Sequence, residues 1–278
     1  MAFMLARAIK SFIMVQISWP LRKKYLGNQI ASSLLLRLLL TFTYPNIAPQ
    51  QMGDGVTGTM YVMKGDKLIQ GKTQTYSVQL YCEGALKNKT ENSKLNTLLV
   101  DLLNYGTAAQ EYAGYRTYAP INANVTDLQK TWATAGRDFV SLYGGSGDAT
   151  MTDIKFKKVA LVLSETVAIR YGFTAPDGVS GITLKVEDEK GNSWTFGESS
   201  FVQDETDPTL YYVTFRKFEA NRMSDGVLAT LWKDGKHSKT LNYSIESYVT
   251  GVKKTDTTLY NLVTSMMKYG DAAKKYQP

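Results

Sequence analysis

Side chains that could act as nucleophiles or general bases are few in this chain of 278 residues. Its one histidine, His237, follows an Asp-Gly pair that predicts a tight turn, where an imidazole has neither burial nor a partner to orient it. Its one cysteine, Cys82, follows a strand-like run and is expected to be a buried apolar residue rather than a reactive thiol. A mechanism that pairs histidine with serine or cysteine is therefore not expected, and one histidine and one cysteine cannot build a zinc site.

The 25 acidic residues leave one enzyme class open by number alone, because a glycosidase needs only two carboxylates. Asp54 and Asp225 lie in similar Gly/Ser-Asp-Gly segments, which are ordinary turn sequences. The Asp-x-Asp-x-Asp-Gly spacing of a calcium loop does not occur. We therefore predict a protein that is not an enzyme, with no catalytic residues, no metal and no cofactor.

Aromatic side chains offer a different chemistry, since Trp132, Trp194, Trp232 and 18 tyrosines could stack on sugar rings. Trp194 follows a predicted turn and Trp232 adjoins a predicted hairpin tip, so these two are the candidate ligand-binding residues. Strand alternation places Trp232 on the same face as Leu228, and packing in the core is the favoured interpretation for it. An exposed coplanar pair of rings would favour sugar binding, whereas buried rings would favour a structural role.

The net charge of +7 would suggest a nucleic-acid partner if the positive charges were spread over the whole chain, but they are not. Six of the seven net positive charges lie within residues 1–53, which contain no acid. The rest of the chain is close to neutral and shows no face that could neutralise phosphates. Nucleic acid is therefore not an expected partner.

Residues 1–40 are basic, leucine-rich and poor in turn signals, and several interpretations stay open. A signal peptide would need a small-x-small cleavage site after its apolar stretch, which is missing. A transmembrane helix needs roughly 18 consecutive apolar residues, and charged residues interrupt every apolar stretch of this segment before it reaches that length. An interfacial amphipathic helix fits the composition better, although membrane contact is not the favoured expectation. The remaining interpretation is a segment foreign to the module, and we predict that it contributes little to the folded body.

The rest of the chain carries one pattern twice. MGDGV at 52–56 returns as MSDGV at 223–227, YSVQLY at 76–81 as YSIESY at 243–248, and NYGTAA at 104–109 as KYGDAA at 268–273. Three segments in the same order, at offsets of 171, 167 and 164 residues, indicate a duplicated unit. In this alignment Cys82 corresponds to Val249, which supports a buried position.

Hydrophobic periodicity predicts the fold of each copy. About seven short strands between residues 156 and 245, separated by turn sequences, are typical of an Ig-like β-sandwich. A shorter and a longer helix follow, and the longer one carries a stripe of apolar residues at helical spacing. Gly106 and Gly270 recur within the long helices and predict a close approach of another backbone, that of the short helix or of a sheet edge. The tyrosine before each glycine is expected to cover this contact. The expected fold is mainly β with appended helices: an Ig-like β-sandwich followed by a helical hairpin, once complete and once truncated.

The motif NYGTAAQEY at 104–112, after a Leu-rich helix and a Tyr-Ser-Val segment, resembles a repeat of large secreted or surface proteins of anaerobic Gram-positive bacteria. The resemblance covers roughly residues 41–278. It implies a secreted or cell-surface setting as one part of a longer multidomain protein, and it supplies no catalytic residues. Neighbouring domains and cell-wall, dietary or host glycans are the partners that such a setting suggests.

Four regions follow from these patterns. They are a basic apolar segment at 1–40, a truncated first module at 41–116, a linker at 117–150 with a flexible hinge at 144–147, and a complete second module at 151–278. The expected function is a non-catalytic extracellular or cell-surface module that serves as a spacer or an adhesion unit. The alternative is a carbohydrate-binding module that uses exposed Trp and Tyr.

Overall fold

The computed structural model describes residues 11–18, 37–44, 47–64, 66–163 and 167–276, with only the strand pairing described in the first two stretches. Within these ranges the chain is mainly β, with several antiparallel sheets and five α-helices. Most interpretations of the N-terminal segment fall on residues outside these ranges.

The N-terminal strands β1 (Ser11–Ser18) and β2 (Arg37–Tyr44) pair antiparallel with each other. An amphipathic helix through these stretches is therefore wrong. The physical reason lies in composition, since β1 contains Phe12, Ile13, Val15 and Ile17, and β-branched and aromatic residues favour strands.

The parts predicted to be a first and a second copy keep those names below. The first copy begins with a single 3-10 turn, Pro49–Gln51, and a hairpin made of β3 (Val56–Lys64) and β4 (Lys67–Tyr76). This hairpin is a two-stranded sheet, and all ten residues of β4 are exposed. The hydroxyls of Thr59 and Thr73 join its strands by a hydrogen bond of 2.8 Å.

The helical pair of the first copy is α1 (Val78–Leu86) and α2 (Lys94–Ala113). The strand expected through 76–81 ends at Tyr76, and the prediction is wrong from Val78 onward, because Ser77 caps α1 by accepting a hydrogen bond of 3.0 Å from the Leu80 amide. Serine is a favoured N-cap, and this local bond outweighs the strand-like appearance of Tyr-Ser-Val. The prediction of a longer helix at 95–112 is confirmed, with one more residue at each end.

The segment between the copies contains a short helix, α3 (Asp127–Lys130), and a strand, β5 (Gly144–Ser146). The hinge predicted at 144–147 is wrong, because β5 pairs antiparallel with a strand of the second copy at Thr240–Tyr243. Glycine lowers strand propensity, but pairing at the edge of a sheet supplies the hydrogen bonds that keep this stretch extended.

The second copy contains nine strands and a second helical pair. The strands are β6 (Lys155–Leu163), β7 (Val167–Thr174), β8 (Thr183–Asp188), β9 (Ser193–Phe196), β10 (Val202–Gln203), β11 (Leu210–Phe215), β12 (Val227–Lys233), β13 (Lys236–His237) and β14 (Thr240–Tyr243). The helices are α4 (Ile245–Gly251) and α5 (Thr257–Tyr276).

These strands form two antiparallel sheets that share one hydrophobic core. One sheet has the order β10-β11-β7-β6, and the other has the order β5-β14-β12-β8-β9, with β13 paired to β12. Phe215 of β11 joins them, because its ring lies 5.0 Å from that of Trp194 and 6.2 Å from that of Phe196, both on β9.

The hairpins of the two copies have the same register where they meet the helical pair. Val56 lies opposite Tyr76 in β3–β4, and Val227 lies opposite Tyr243 in β12–β14. A hydroxyl pair of 2.8 Å recurs as well, between Thr230 and Thr240. The surroundings differ, because β12 and β14 are flanked by β8 and β5, whereas β3 and β4 form a sheet of two strands.

Candidate functional site at the contact between the two long helices

The long helices α2 and α5 pack against each other, and their contact joins the two copies. The predicted apolar stripes are buried along it. In α2 the buried members of the stripe are Leu98, Leu99, Leu102, Leu103 and Ala109, and in α5 they are Leu262, Val263, Met266, Met267 and Ala273.

Tyr105 and Tyr269 occupy the same position in the two copies, and their rings stack on each other. The ring centroids are 6.0 Å apart, with an interplanar angle of 11°. Both side chains are buried, and burial raises the pKa of both phenols far above the ordinary value. Each tyrosine was expected to cover the contact of the neighbouring glycine, but it forms the centre of the contact between copies.

The tyrosines of the two short helices are influenced by the long helix of the other copy. The pKa of Tyr81 on α1 is raised by burial first and then by the nearby Cys82 and Tyr276. The pKa of Tyr248 on α4 is raised by burial first and then by the nearby Tyr112 and Asp256. The last tyrosine of each long helix is therefore close enough to the short helix of the other copy to influence the pKa of its tyrosine.

Gly106 and Gly270 lie where each long helix approaches the start of its own copy. A Cβ atom at Gly270 would lie 2.9 Å from the carbonyl oxygen of Ala220, in the 3-10 turn Ala220–Arg222. A Cβ atom at Gly106 would lie 3.0 Å from Ile121 Cδ1 and 3.3 Å from Met52 Sδ. The predicted close approach to backbone is confirmed at Gly270, with the turn as the partner rather than the short helix or a sheet edge. It is wrong at Gly106, where the approaching atoms belong to side chains.

The methionine before each Asp-Gly turn links that turn to the short helix. The Gln79 amide of α1 donates to the Met52 carbonyl over 2.9 Å, and the Glu246 amide of α4 donates to the Met223 carbonyl over 3.1 Å. The repeated motifs at 52–56 and 223–227 therefore hold the hairpin and the helical pair together in each copy.

The segment between the copies is fastened to helices of both. On one side, the buried Asp101 carboxylate of α2 accepts two hydrogen bonds of 3.1 Å from the Thr134 amide, and burial raises its pKa. On the other side, Arg137 bonds to Glu246 of α4 and Asp271 of α5. Hydrogen bonds to Asp271 and Glu246 raise the pKa of Arg137. Sequence analysis missed Arg137, because nothing in the polar sequence around it distinguishes it from a solvated residue.

The turn aspartates are held within their own copies. Asp54 accepts hydrogen bonds of 2.7 Å from both the Tyr115 hydroxyl and Arg116. Asp225 accepts from Arg222 over 3.0 Å and from Lys274 over 3.3 Å. These contacts stabilise turns, as the Gly/Ser-Asp-Gly sequences indicate.

The two candidate ligand-binding tryptophans lie on opposite faces of one sheet. Trp194 is opposite Val186, which is opposite the buried Ala229, so its half-buried ring faces the core. Trp232 shares a face with Leu228, as alternation predicts, but both are exposed, by 38% and 43%. Core packing is therefore wrong for Trp232, and the two rings do not form a coplanar exposed pair.

The remaining candidate groups for chemistry have structural surroundings. The His237 ring packs against that of Trp232, with centroids 5.0 Å apart and planes tilted by 47°. The hairpin turn before it has positive φ at Asp234 (50°) and Gly235 (74°), as predicted. Cys82 is fully buried in α1, and burial raises the pKa of its thiol to about 12, which confirms the apolar interpretation.

In the part of the chain that the structure describes, no group of three or more His, Cys, Asp or Glu side chains is placed to hold a metal ion. No described helix combines the length and the apolar character needed to cross a membrane.

No protein-family profile matches the sequence, and no similar protein is found among curated proteins or solved structures.

Proposed function

We propose that this chain is a non-catalytic module of a larger secreted or cell-surface protein, in which it acts as a spacer or an adhesion unit. The observation that carries the proposal is the contact between α2 and α5, centred on Tyr105 and Tyr269. A spacer must keep successive units in a fixed relation, and a buried apolar contact between them limits bending. The extracellular setting follows from the resemblance to secreted repeat proteins.

The proposed architecture of the unit is an Ig-like β-sandwich followed by a helical pair, complete in the second copy and truncated in the first. The two antiparallel sheets that meet at Phe215 support the sandwich. The shared register of Val56–Tyr76 and Val227–Tyr243 supports the repeat. Neighbouring domains of a longer chain are the partners that fit such a unit, and the near-neutral body does not favour nucleic acid.

Carbohydrate binding is the second candidate function, and the exposure of Trp232 favours it. The ring is 38% exposed beside His237 at a hairpin tip, which is a position that a sugar could reach. Trp194 does not contribute to the same surface, because it packs on Phe215 in the core.

A double-mutant cycle on the full chain tests the spacer proposal. Tyr105→Ala and Tyr269→Ala should each lower the free energy of unfolding by about 3–5 kcal/mol. The two effects should fall short of additivity by about 0.5–1.5 kcal/mol, because each change removes the same stack. Hydrogen exchange should show the helices of both copies losing protection together in the variants.

Tyr118→Ala is the matched control, since this tyrosine is 82% exposed and its loss should leave stability unchanged. Additive effects, with the two copies opening independently in the wild-type chain, would contradict a rigid spacer.

A screen of chromogenic glycosides, esters and peptides should show no turnover. Turnover that a single carboxylate substitution abolishes would contradict the non-catalytic proposal.

A further inference from the structure

A cleft of about 680 Å³ opens between the end of the linker, β6, β14 and the turn from α4 to α5. This volume falls within the range of small-molecule sites, which is roughly 300–1,000 Å³. Its lining combines aromatic rings and hydroxyl groups, from Tyr143, Tyr243, Tyr248, Ser141, Thr250 and Thr255. Of these residues only Tyr248 is also near the other copy's long helix, through the influence of Tyr112 on its pKa.

Tyr143 presents an exposed aromatic face within this cleft. Its side chain is 61% exposed, and its ring packs perpendicular to that of the buried Tyr243, with centroids 5.8 Å apart and planes at 90°. The backbone beside it is anchored, because the Leu142 amide donates to Ser247 Oγ over 2.8 Å. An exposed ring that packs on a buried ring and has an anchored backbone is preorganised for stacking.

Polar groups that can accept and donate hydrogen bonds line the same cleft as this ring. The Thr250 hydroxyl donates to the Ser247 carbonyl over 2.8 Å, which leaves its lone pairs free to accept. Asp256 Oδ1 caps α5 by accepting from the Leu259 amide over 3.2 Å, so its Oδ2 atom is available as an acceptor. Lys253 lines the same cleft and offsets the charge of Asp256.

We propose that this cleft binds a saccharide chain, with one sugar ring stacked on Tyr143 and its hydroxyls bonded to Thr250, Thr255 and Asp256. A sugar ring has an apolar C–H face and a rim of hydroxyls, which matches one exposed aromatic ring beside several hydroxyl and carboxylate groups. Lys253 and Asp256 balance each other, and the ammonium of Lys158, the third charged residue of the lining, lies over the Tyr212 ring at 4.8 Å, outside the set of lining residues. This charge distribution favours a neutral sugar over a polyanion. This inference rests on the adhesion role proposed above and gives that role a ligand class.

An extended peptide is the rival occupant, because β6 forms one edge of its sheet and lines the cleft. The edge is interrupted at this place, since the register of β6 shifts between Phe156 and Lys158. Such an irregularity breaks the ladder that an added strand would need. The saccharide is therefore the better match.

The full chain is to be titrated with neutral hexasaccharides of glucose, xylose, mannose and N-acetylglucosamine, and with a Thr/Val peptide of strand-forming sequence. Isothermal calorimetry measures affinity, and amide chemical shifts locate the site. At least one hexasaccharide should shift the amides of 141–143 and 250–256. Tyr143→Ala should weaken its binding roughly tenfold, as expected for loss of one aromatic stack, while Tyr143→Phe should retain it. Thr255→Val, at an exposed position, should weaken binding without changing the melt.

Tyr118→Ala is again the control and should bind as the wild-type chain does. The inference is overturned if no hexasaccharide binds, if Tyr143→Ala binds as well as the wild type, or if only the peptide shifts the cleft amides. The outcomes are separable from those of the spacer test, because Tyr143 and Thr255 do not line the stack of Tyr105 on Tyr269. Failure of sugar binding would leave the double-mutant cycle unchanged, and additive energies in that cycle would leave sugar binding intact.

Discussion

Arg137 donates two parallel hydrogen bonds to Glu246, from Nη1 to Oε1 and from Nη2 to Oε2. Glu246 is buried at the start of α4, and its carboxylate also accepts from the Val140 amide over 2.8 Å. The segment between the copies is thereby tied to the first turn of a short helix. A carboxylate at a helix N-terminus is favoured by the helix dipole as well.

Replacement of Arg137 by alanine should destabilise the chain by about 1–3 kcal/mol, because it leaves the buried Glu246 with fewer partners. Solvent screening keeps the figure at the lower end, since 36% of the Arg137 side chain is exposed. Urea unfolding of the full chain measures the loss, and Arg216→Ala, at an exposed position, is the control. Equal stability of the Arg137 and Arg216 variants would show that the bonds are dispensable.

Alanine substitutions at Gly106 and Gly270, which recur in the two long helices, should have unequal effects on stability. Gly270→Ala should cost about 1–3 kcal/mol, because its Cβ would overlap the Ala220 carbonyl at 2.9 Å and backbone cannot easily yield. Gly106→Ala meets the flexible end of Ile121, and the gain of about 1 kcal/mol in helix propensity should offset much of its cost. Thermal melts of the two variants measure which of them loses more stability. A greater loss of stability for Gly106→Ala than for Gly270→Ala would refute the close approach of the Ala220 carbonyl to Gly270.

The two tryptophans should also differ in their effect on stability. Trp194→Ala removes a ring packed on Phe215 and should cost about 2–4 kcal/mol. Trp232→Ala removes a ring on the outer face and should cost about 1 kcal/mol or less. The measurement is chemical unfolding followed by far-UV circular dichroism, which does not depend on the residue removed. A larger cost at Trp232 would show that its face is covered in solution.

Acid should weaken the contact between Asp188 and Arg222. Burial alone would raise the pKa of Asp188, but hydrogen bonds from Asn192 and Arg222 outweigh it and lower that pKa to about 2. A lowered pKa means that the carboxylate stabilises the fold above about pH 4 and that this contribution is lost as the pH falls toward 2. Asp188→Asn should be less stable at neutral pH and should lose less between pH 4 and 2. Asp148→Asn, at an exposed position, should follow the wild-type pH profile.

The buried thiol of Cys82 should resist alkylation. Because burial raises its pKa to about 12, almost no thiolate is present at neutral pH in the folded chain. Iodoacetamide should label Cys82 slowly in buffer and rapidly in guanidinium, as measured by mass spectrometry. Rapid labelling of the folded chain would mean that α1 opens readily.

The sequence predicted the strands and helices of the second copy well, because strong alternation and a single apolar stripe leave few alternatives. It favoured a core position for Trp232 on β12, because Leu228 and Trp232 are large apolar residues on one face and only Thr230 between them is polar. The buried face instead carries Val227, Ala229 and Leu231. The capping role of Ser77 was hidden by a sequence that also suits a strand.

The candidate sites were harder to predict than the elements. The recurrence of Tyr105 and Tyr269 was visible in the sequence, but their contact depends on how two helices 164 residues apart pack. Tyr143 lies beside a glycine run that suggested a hinge, and its exposed face follows only from the pairing of β5 with β14. Long-range packing of this kind leaves no periodic signal in a single chain.

The stack of Tyr105 on Tyr269, which occupy the same position in the two copies, has the form of an isologous interface, in which each partner offers the same patch to the other. The reciprocal influence of Tyr276 on the pKa of Tyr81 and of Tyr112 on that of Tyr248 agrees with this form, as in a symmetric dimer, although one chain connects the two copies. Such a patch is fully used by one partner, so it closes and does not propagate. A longer chain assembled by this contact would grow in pairs of copies, with flexibility between pairs and stiffness within each.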